Sequence, residues 1–298
     1  MTAMAHIERI SKGHGLLEGP LYDPDLGFVV SDADKGGVWA IRSGAAPDLL
    51  VQHRRGIGGM ALHLDDSFVV SGRNVALKSA DASGPAQSAT VLLNSDPTAG
   101  IHGFNDLTTD SAGRIYVGSL AFHAMNVGKD EQATGKPTGK LHMIDIDGSV
   151  HEVAGDNVLS NGIGFSPDGK KLYWADSLRR RIDVFDVAPN GMLHDRRLFV
   201  TIPEALPDGL AVDAQGNVWV ALCHGGAVTA FSESGRETER IAIEVPMVTS
   251  LCFGGPDWRD LYIVTGSSGA PPELGACVYR IRQPVPGLPR PKARTAIP

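Results

Sequence analysis

Six segments of the chain repeat one pattern, a turn rich in Asp and Gly followed by a short run of β-branched and aromatic residues. The runs begin at Phe28, Phe68, Ile115, Leu172, Val218 and Leu261. Successive starts lie 40, 47, 57, 46 and 43 residues apart, a spacing typical of four-stranded propeller blades. The 36 glycines among 298 residues suit a chain of short strands and tight turns. The sequence therefore predicts an all-β, six-bladed β-propeller.

Two further series of segments supply the remaining strands of each blade. The second strands are predicted at 37–42, 74–79, 140–145, 181–186, 227–232 and 277–282. Only five outer strands follow, at 47–53, 89–94, 149–155, 195–202 and 237–245. The sixth is expected from residues 5–11, which would pair with the last blade and close the ring. Residues 1–283 form the predicted propeller domain, and the proline-rich, basic segment 284–298 is expected to be a tail outside the ladders.

Charge and hydropathy exclude several classes of partner. The net charge of −7 and the pI near 5.8 argue against a nucleic-acid partner, which requires clustered cations. No window approaches the length of a membrane-spanning segment, and the N-terminus lacks the apolar stretch of a secretory signal. Three widely spaced cysteines argue against a disulfide framework. We expect a cytoplasmic protein that acts on a small molecule; the oligomeric state stays open.

Polar residues occupy one equivalent position in four of the six repeats. Counting back from the start of each run leads to Glu18, Asn105, Asn161 and Asp208. Inner strands of a propeller line its central channel, so these side chains are expected to converge on the axis. Their oxygens suit a hard divalent cation. Taken singly, Asn and Asp beside Gly are also ordinary turn formers.

These segments resemble one protein family. LEGP, FNDL, LSNGIGFSPDGKKLYWADS and LPDGLAVDAQGNVWVA are similar to the signatures of the SMP-30/gluconolactonase/LRE-like family, and the resemblance extends to about residue 283. It implies a six-bladed propeller with one divalent metal ion in the channel, held by Glu18, Asn161 and Asp208. Calcium is the first expectation, with magnesium, manganese, iron(II) or zinc as alternatives. It further implies that Asn105 contacts substrate or a bound water and that Asp208 acts as the catalytic base or nucleophile.

The resemblance implies a lactonase, which opens a sugar lactone or a smaller lactone to the hydroxy acid. The cation would polarise the carbonyl group, and Asp208 would activate the attacking water. Two alternatives stay open: a phosphotriesterase-like hydrolase that uses the same site, and a non-catalytic propeller that binds a metal ion and a partner.

One position departs from the family pattern. Sugar-lactone members often carry an arginine two residues before the channel asparagine, where this chain has Gly103. The neighbouring His102 is a candidate substrate contact, although adjacent strand residues face opposite ways. The loss of the arginine favours a smaller or less polar lactone or ester.

Other candidates lie on the predicted loops. Arg73 points either into the channel mouth or to solvent, and Phe122 and His123 are candidate pocket walls. They belong to a long insertion, residues 119–139, which is either a lid over the site or a passive excursion. Cys223 and His224 are adjacent on a strand and are not expected to form a nucleophilic pair.

Overall fold

The computed structural model describes residues 6–52, 56–79, 89–121 and 138–297. These ranges contain 24 β-strands and one 3₁₀ turn, Pro97–Ala99. The innermost strands are β2 (Leu17–Asp23), β6 (Met60–Leu62), β10 (Gly103–Thr109), β14 (Ser160–Phe165), β18 (Leu206–Val212) and β22 (Val248–Gly254). The next strands outward are β3 (Gly27–Asp32), β7 (Phe68–Val70), β11 (Ile115–Leu120), β15 (Lys171–Asp176), β19 (Val218–Cys223) and β23 (Asp260–Thr265).

The outer half of the blades completes the strand list. The third strands are β4 (Val38–Ala40), β8 (Val75–Lys78), β12 (Gly139–Ile144), β16 (Arg181–Val187), β20 (Ala227–Phe231) and β24 (Ala276–Arg282). The outermost strands are β5 (Asp48–Val51), β9 (Thr90–Leu93), β13 (Val150–Asn157), β17 (Leu193–Thr201), β21 (Glu237–Ala242) and β1 (Glu8–His14).

The 24 strands form six antiparallel four-stranded sheets. Five sheets use four consecutive strands, whereas the sixth has the order β1-β24-β23-β22. In that sheet Glu8 pairs with Arg280 and His14 pairs with Ala276, so the N-terminal strand closes the ring. Each innermost strand contacts the innermost strands of both neighbouring blades. The predicted six-bladed propeller and its closure are therefore confirmed.

The apolar side chains form six clusters, one between each pair of adjacent blades. Trp219 of blade five stands edge-on to Phe253 of blade six, with ring centroids 6.0 Å apart. Trp174 and Tyr173 of blade four are 0% and 1% exposed. The core is thus a ring of sheet-to-sheet contacts around an axial channel, because each blade covers its apolar faces only with its neighbours.

The repeated Asp has a local structural role in the turns after the innermost strands. Asp110 Oδ1 accepts hydrogen bonds from the backbone N–H groups of Ala112 and Arg114 at 2.9 Å each. Asp213 Oδ1 does the same for Gln215 and Asn217, at 2.9 and 3.0 Å. This pattern explains why the repeat is visible in the sequence, since Asx side chains satisfy the backbone of a tight turn.

The segment after Gln283 crosses the end of the propeller where the innermost strands finish. Gly287 donates its N–H to Trp258 O of blade six at 2.7 Å, and Ala293 donates to Leu62 O of blade two at 2.7 Å. Thr295 Oγ1 donates to Asp145 O of blade three at 2.6 Å. Its strand-like contacts are isolated bridges rather than ladders, so it acts as a strap across several blades.

All three cysteines are buried and none forms a disulfide bond, as their spacing in the sequence predicts. Within the described ranges, no helix is long and apolar enough to cross a membrane.

Candidate functional site in the central channel

The four predicted side chains lie at one end of the channel, near the beginning of their innermost strands. We call this end the near mouth and the other end, where these strands finish, the far mouth. In each of the four strands the pairing register shifts at the candidate site residue. Glu18 pairs with Ser31, for instance, but Leu21 pairs with Val29, so the innermost strand carries one extra residue.

The same bulge recurs in β10, β14 and β18, between Phe104 and Leu107, Ser160 and Ile163, and Pro207 and Leu210. A β-bulge interrupts the alternation of side chains and re-aims one of them. Four equivalent bulges therefore place Glu18, Asn105, Asn161 and Asp208 at the same depth of the channel.

Glycines allow the strands to approach one another at this level. A Cβ atom at Gly162 would lie 2.5 Å from Asp208 O, and one at Gly209 would lie 2.1 Å from Ser250 Oγ. Gly58 occupies the equivalent position in blade two, where a Cβ atom would lie 2.3 Å from Asn105 Oδ1. The glycines next to the candidate site residues thus allow close packing between blades.

A hydrogen-bond chain fixes the two carboxamides across three blades. Asn105 Nδ2 donates to Ser160 O at 2.8 Å and to Asn161 Oδ1 at 2.9 Å. Asn161 Nδ2 donates to Ser177 Oγ at 2.9 Å, and that hydroxyl donates to Pro207 O at 2.6 Å. Because both amide nitrogens are engaged by protein, a ligand would meet the carboxamide oxygens, of which Asn161 Oδ1 already accepts one hydrogen bond and keeps its second lone pair.

Three carboxyl groups share the channel. Burial raises the pKa of Glu18 and of Asp208 well above the usual range; the charge of Asp208 adds to the effect on Glu18, and Asp106 adds to both. Asp106 is the third carboxyl group, and burial raises its pKa from 3.8 to about 6. Within the described ranges, no Lys, Arg or His side chain forms an ion pair with any of the three.

This donor set fits a divalent cation. Two carboxylates that are partly or fully withdrawn from water at one level repel each other unless a positive charge lies between them. The carboxylates of Glu18 and Asp208 and the carbonyl oxygen of Asn161 are hard oxygen donors, which calcium, magnesium and manganese prefer. The side chains present are therefore able to hold the metal ion that the sequence predicts.

Cys223 adds a thiol beside the carboxylates. It is 6% exposed, and its thiol lies close enough to Asp208 to lower the pKa of that carboxyl group against the larger effect of burial. Burial and the nearby charges of Asp208 and Glu18 raise the thiol pKa strongly. His224 is exposed and has a φ of 62°. The raised thiol pKa disfavours the thiolate that a nucleophilic pair would need.

The remaining candidates lie around the near mouth. His102 is half-buried directly before β10, and its backbone N–H donates to Leu120 O at 2.8 Å. Arg73 is exposed in the turn between β7 and β8, where Gly72 O accepts from Phe104 N at 2.7 Å. Phe122 and His123 lie outside the described residues, as does most of the 119–139 insertion.

Sequence reasoning missed Asp106, the thiol contact of Cys223 and the four bulges. Asp106 directly follows Asn105, so strict strand alternation placed it on the other face. The signal that could have revealed the bulges is the glycine after three of the four site residues, since glycine inside a strand often marks a bulge.

A second cluster of possible metal ligands lies outside the channel. Asp186, His194 and Asp195 have ligand atoms within 4.8 Å of one another on the outer edge of blade four. Arg197 already forms two hydrogen bonds with Asp186, at 2.5 and 3.0 Å. Because this cluster is largely exposed and partly neutralised, it is a weaker cation site than the channel.

Comparisons with known proteins agree with this architecture. The family model described as "SMP-30/Gluconolactonase/LRE-like region" matches residues 16–267. The chain belongs to this family. All four site residues and Asp106 lie inside the matched range.

Individual proteins resemble this chain in sequence or in structure. Regucalcin from Pongo abelii is 30% identical over 224 residues, which are 73% of this chain and 71% of the relative; the match to regucalcin from Sus scrofa spans 62% of that protein. A calcium-binding regucalcin structure from Agrobacterium tumefaciens superposes with a TM-score of 0.80 at 20% identity, covering 97% of this chain and 98% of that one. The gluconolactonase XC5397 from Xanthomonas campestris gives 0.77 at 24% identity, covering 95% and 91%.

Proposed function

We propose that this protein is a metal-dependent lactonase whose active site is the near mouth of the channel. The observation that carries the proposal is the pair of carboxyl groups on half-buried Glu18 and buried Asp208, whose charges act on the same part of the channel. Among the residues that the structure describes, no Lys, Arg or His forms an ion pair with either of them. The relatives support the reaction class, since one is named a gluconolactonase and another a calcium-binding regucalcin.

Glu18, Asn161 and Asp208 are the residues that would hold the ion. When bound, the cation supplies Lewis-acid polarisation of the lactone carbonyl and stabilises the negative charge that develops on its oxygen. Calcium is the first expectation because all three donors are oxygens. A bound cation would also lower the raised pKa values of Glu18 and Asp208, so that both carboxyl groups are ionised at neutral pH.

Asp208 is the proposed general base. Its carboxylate would accept a proton from the water that attacks the lactone carbonyl, and the ring oxygen would leave as the hydroxyl group of the product. The Cys223 thiol, on β19, is the group beside this carboxylate that favours its ionised form. Asn105 is the proposed substrate contact, because its two N–H groups are used on blade four while its carbonyl oxygen can accept from a substrate hydroxyl.

The near mouth favours a substrate with few hydroxyl groups. Gly103 presents no side chain where sugar-lactone members often carry an arginine, and Arg73 is exposed on the neighbouring turn. We therefore expect small aliphatic lactones to be turned over at least as well as aldonolactones. His102, Arg73, Phe122 and His123 stay candidate substrate contacts, and the cytoplasmic location stays a prediction.

The test is acid release in a pH-stat from a panel of aldonolactones, small aliphatic lactones and one activated phosphotriester. Chelated protein is compared with protein given calcium, magnesium, manganese, zinc or iron(II). We expect metal-dependent lactone hydrolysis that falls by about a hundred-fold or more in Asp208→Asn, while Asp168→Asn, an exposed turn residue at the far mouth, keeps full activity. Turnover of the phosphotriester alone would replace the lactonase by a phosphotriesterase. Metal binding without any hydrolysis would show a binding propeller.

A further inference from the structure

The far mouth of the channel contains an open cavity of about 640 Å³. Five of the six innermost strands contribute their last residues to its wall, and residues 288–291 of the strap form another side. The cavity residues nearest along the strands to the near-mouth site are Leu210 and Ile163, which lie two residues, or roughly 7 Å, beyond Asp208 and Asn161. The wall contains none of the four near-mouth residues, and the volume lies in the range of small-molecule sites.

Most of the cavity wall is apolar. The lining includes Leu21, Ile163, Phe165, Leu210, Phe253 and Leu288. Trp258 and Tyr22, also in the wall, meet edge to face with ring centroids 5.5 Å apart. Such a surface favours a ligand with an apolar body, since burying both surfaces removes them from water.

Arg290 places a positive charge in this wall. Its Nη1 donates to Met60 O at 2.6 Å, and within the described ranges it forms no ion pair with a carboxylate. A guanidinium has five N–H donors, so four stay available to a ligand. The strap keeps this side chain in place, because Leu288 donates its N–H to Val212 O at 3.2 Å.

The other cations of the wall are already engaged or exposed. Arg114 donates to Asp110 at 3.0 Å, to Asp145 at 3.1 Å and to Pro189 O at 3.3 Å. Lys170 is exposed and lies 3.9 Å from Asp168. The planar guanidinium of Arg290 is thus the group best placed to bind a carboxylate with two parallel hydrogen bonds.

We propose that the far mouth binds a small organic carboxylate with an apolar body, its carboxylate on Arg290 and its body on the apolar wall. This site is independent of the proposed hydrolysis, because it shares no residue with the near mouth. Asp106 lies deeper in the channel, and the Arg290 charge lowers its pKa against the effect of burial. The guanidinium therefore stands between a buried carboxyl group and the carboxylate of the ligand.

Calorimetric titration of the full chain with decanoate tests the proposal, with decanol as the neutral probe of the same body. We expect decanoate to bind both chelated and calcium-loaded protein. Arg290→Met should weaken decanoate binding by about ten- to a hundred-fold, the effect of losing a charge-assisted pair, and leave decanol binding unchanged. Arg294→Met, in the same strap but outside the cavity wall, should bind decanoate like the unmodified chain.

Equal binding of decanoate to the unmodified chain and to Arg290→Met overturns the proposal, as does an equal loss in Arg294→Met. A second measurement needs no variant: phenylglyoxal modifies arginine side chains, and mass spectrometry locates the products. Decanoate should protect Arg290 and leave Arg294 reactive. If Arg290 is modified at the same rate with and without decanoate, the carboxylate does not bind there.

Discussion

Replacing Asp106 by Asn tests how the buried carboxyl groups of the channel affect the metal-free fold. Burial is the largest cause that raises the pKa of Asp106 from 3.8 to about 6, while the Arg290 charge and the Leu107 N–H act in the opposite direction. A carboxyl group whose pKa is raised on folding binds its proton more tightly in the folded state. The free energy of unfolding therefore falls as pH rises from about 4 to about 6 and stays low above that window.

The magnitude follows from the shift. A rise of about 2.2 in pKa, at about 1.36 kcal/mol for each pKa unit, corresponds to about 3 kcal/mol of stability lost by neutral pH. Asn has nearly the same shape, and its carbonyl oxygen can still accept from Leu107 N, but it has no proton to lose. Asp106→Asn should therefore be more stable than the unmodified chain by up to about 3 kcal/mol at pH 7, with the difference vanishing below about pH 4.

Urea unfolding in the presence of a chelator, followed by tryptophan fluorescence across this pH range, measures the difference. Glu18 and Asp208 are still present in Asp106→Asn, so part of the pH dependence remains. Asp147→Asn is the control, because hydrogen bonds from Ser149 lower the pKa of that exposed carboxyl group. Its removal should lower the free energy of unfolding at neutral pH, whereas Asp106→Asn should raise it. Parallel stability curves for the unmodified chain and Asp106→Asn would refute the reasoning, since they would mean that Asp106 titrates alike in the folded and unfolded states.

Two further predictions concern the packing around the channel. Gly209→Ala should lower the free energy of unfolding by about 1–3 kcal/mol, because the new Cβ atom would lie 2.1 Å from Ser250 Oγ; adding Ser250→Gly should recover part of the loss, and strictly additive effects in urea unfolding would contradict the proposed contact. Deletion of residues 284–298 should lower the melting temperature by on the order of 5–10 °C, because the strap contributes the buried Ala293 and hydrogen bonds to several blades. An unchanged melting temperature by calorimetry would show that the strap adds no stability.

The architecture could be predicted from the sequence because its causes are local. Each turn requires Asp or Gly at fixed places, as Asp110 and Asp213 show, and each strand requires a short β-branched run. Six copies of that unit at regular spacing leave a ring of blades as the consistent solution. The N-terminal closure followed from the missing sixth outer strand, and β1 confirms it.

The position of the site residues along the channel also followed from the repeat. Counting back from each run led to the residues that lie at the bulges in β2, β10, β14 and β18. What each residue contacts could not be predicted in this way. Strict alternation placed Asp106 on the opposite face from Asn105, whereas the bulge brings its carboxyl group into the buried channel. The thiol of Cys223 reaches Asp208 from a neighbouring strand, and no spacing along the chain encodes that contact.

The C-terminal segment shows most clearly the difference between what the sequence predicts and what only the tertiary structure decides. Its prolines indicated that it could not join a ladder, and the sequence by itself suggested only a tail. The structure makes it a strap that carries Arg290 to the far mouth of the channel, 230 residues away along the chain from its partner Met60. Local turn chemistry and strand periodicity thus determine the blades, because they depend on neighbouring residues. The charges inside the channel depend on which distant segments meet there, and only the tertiary structure decides that.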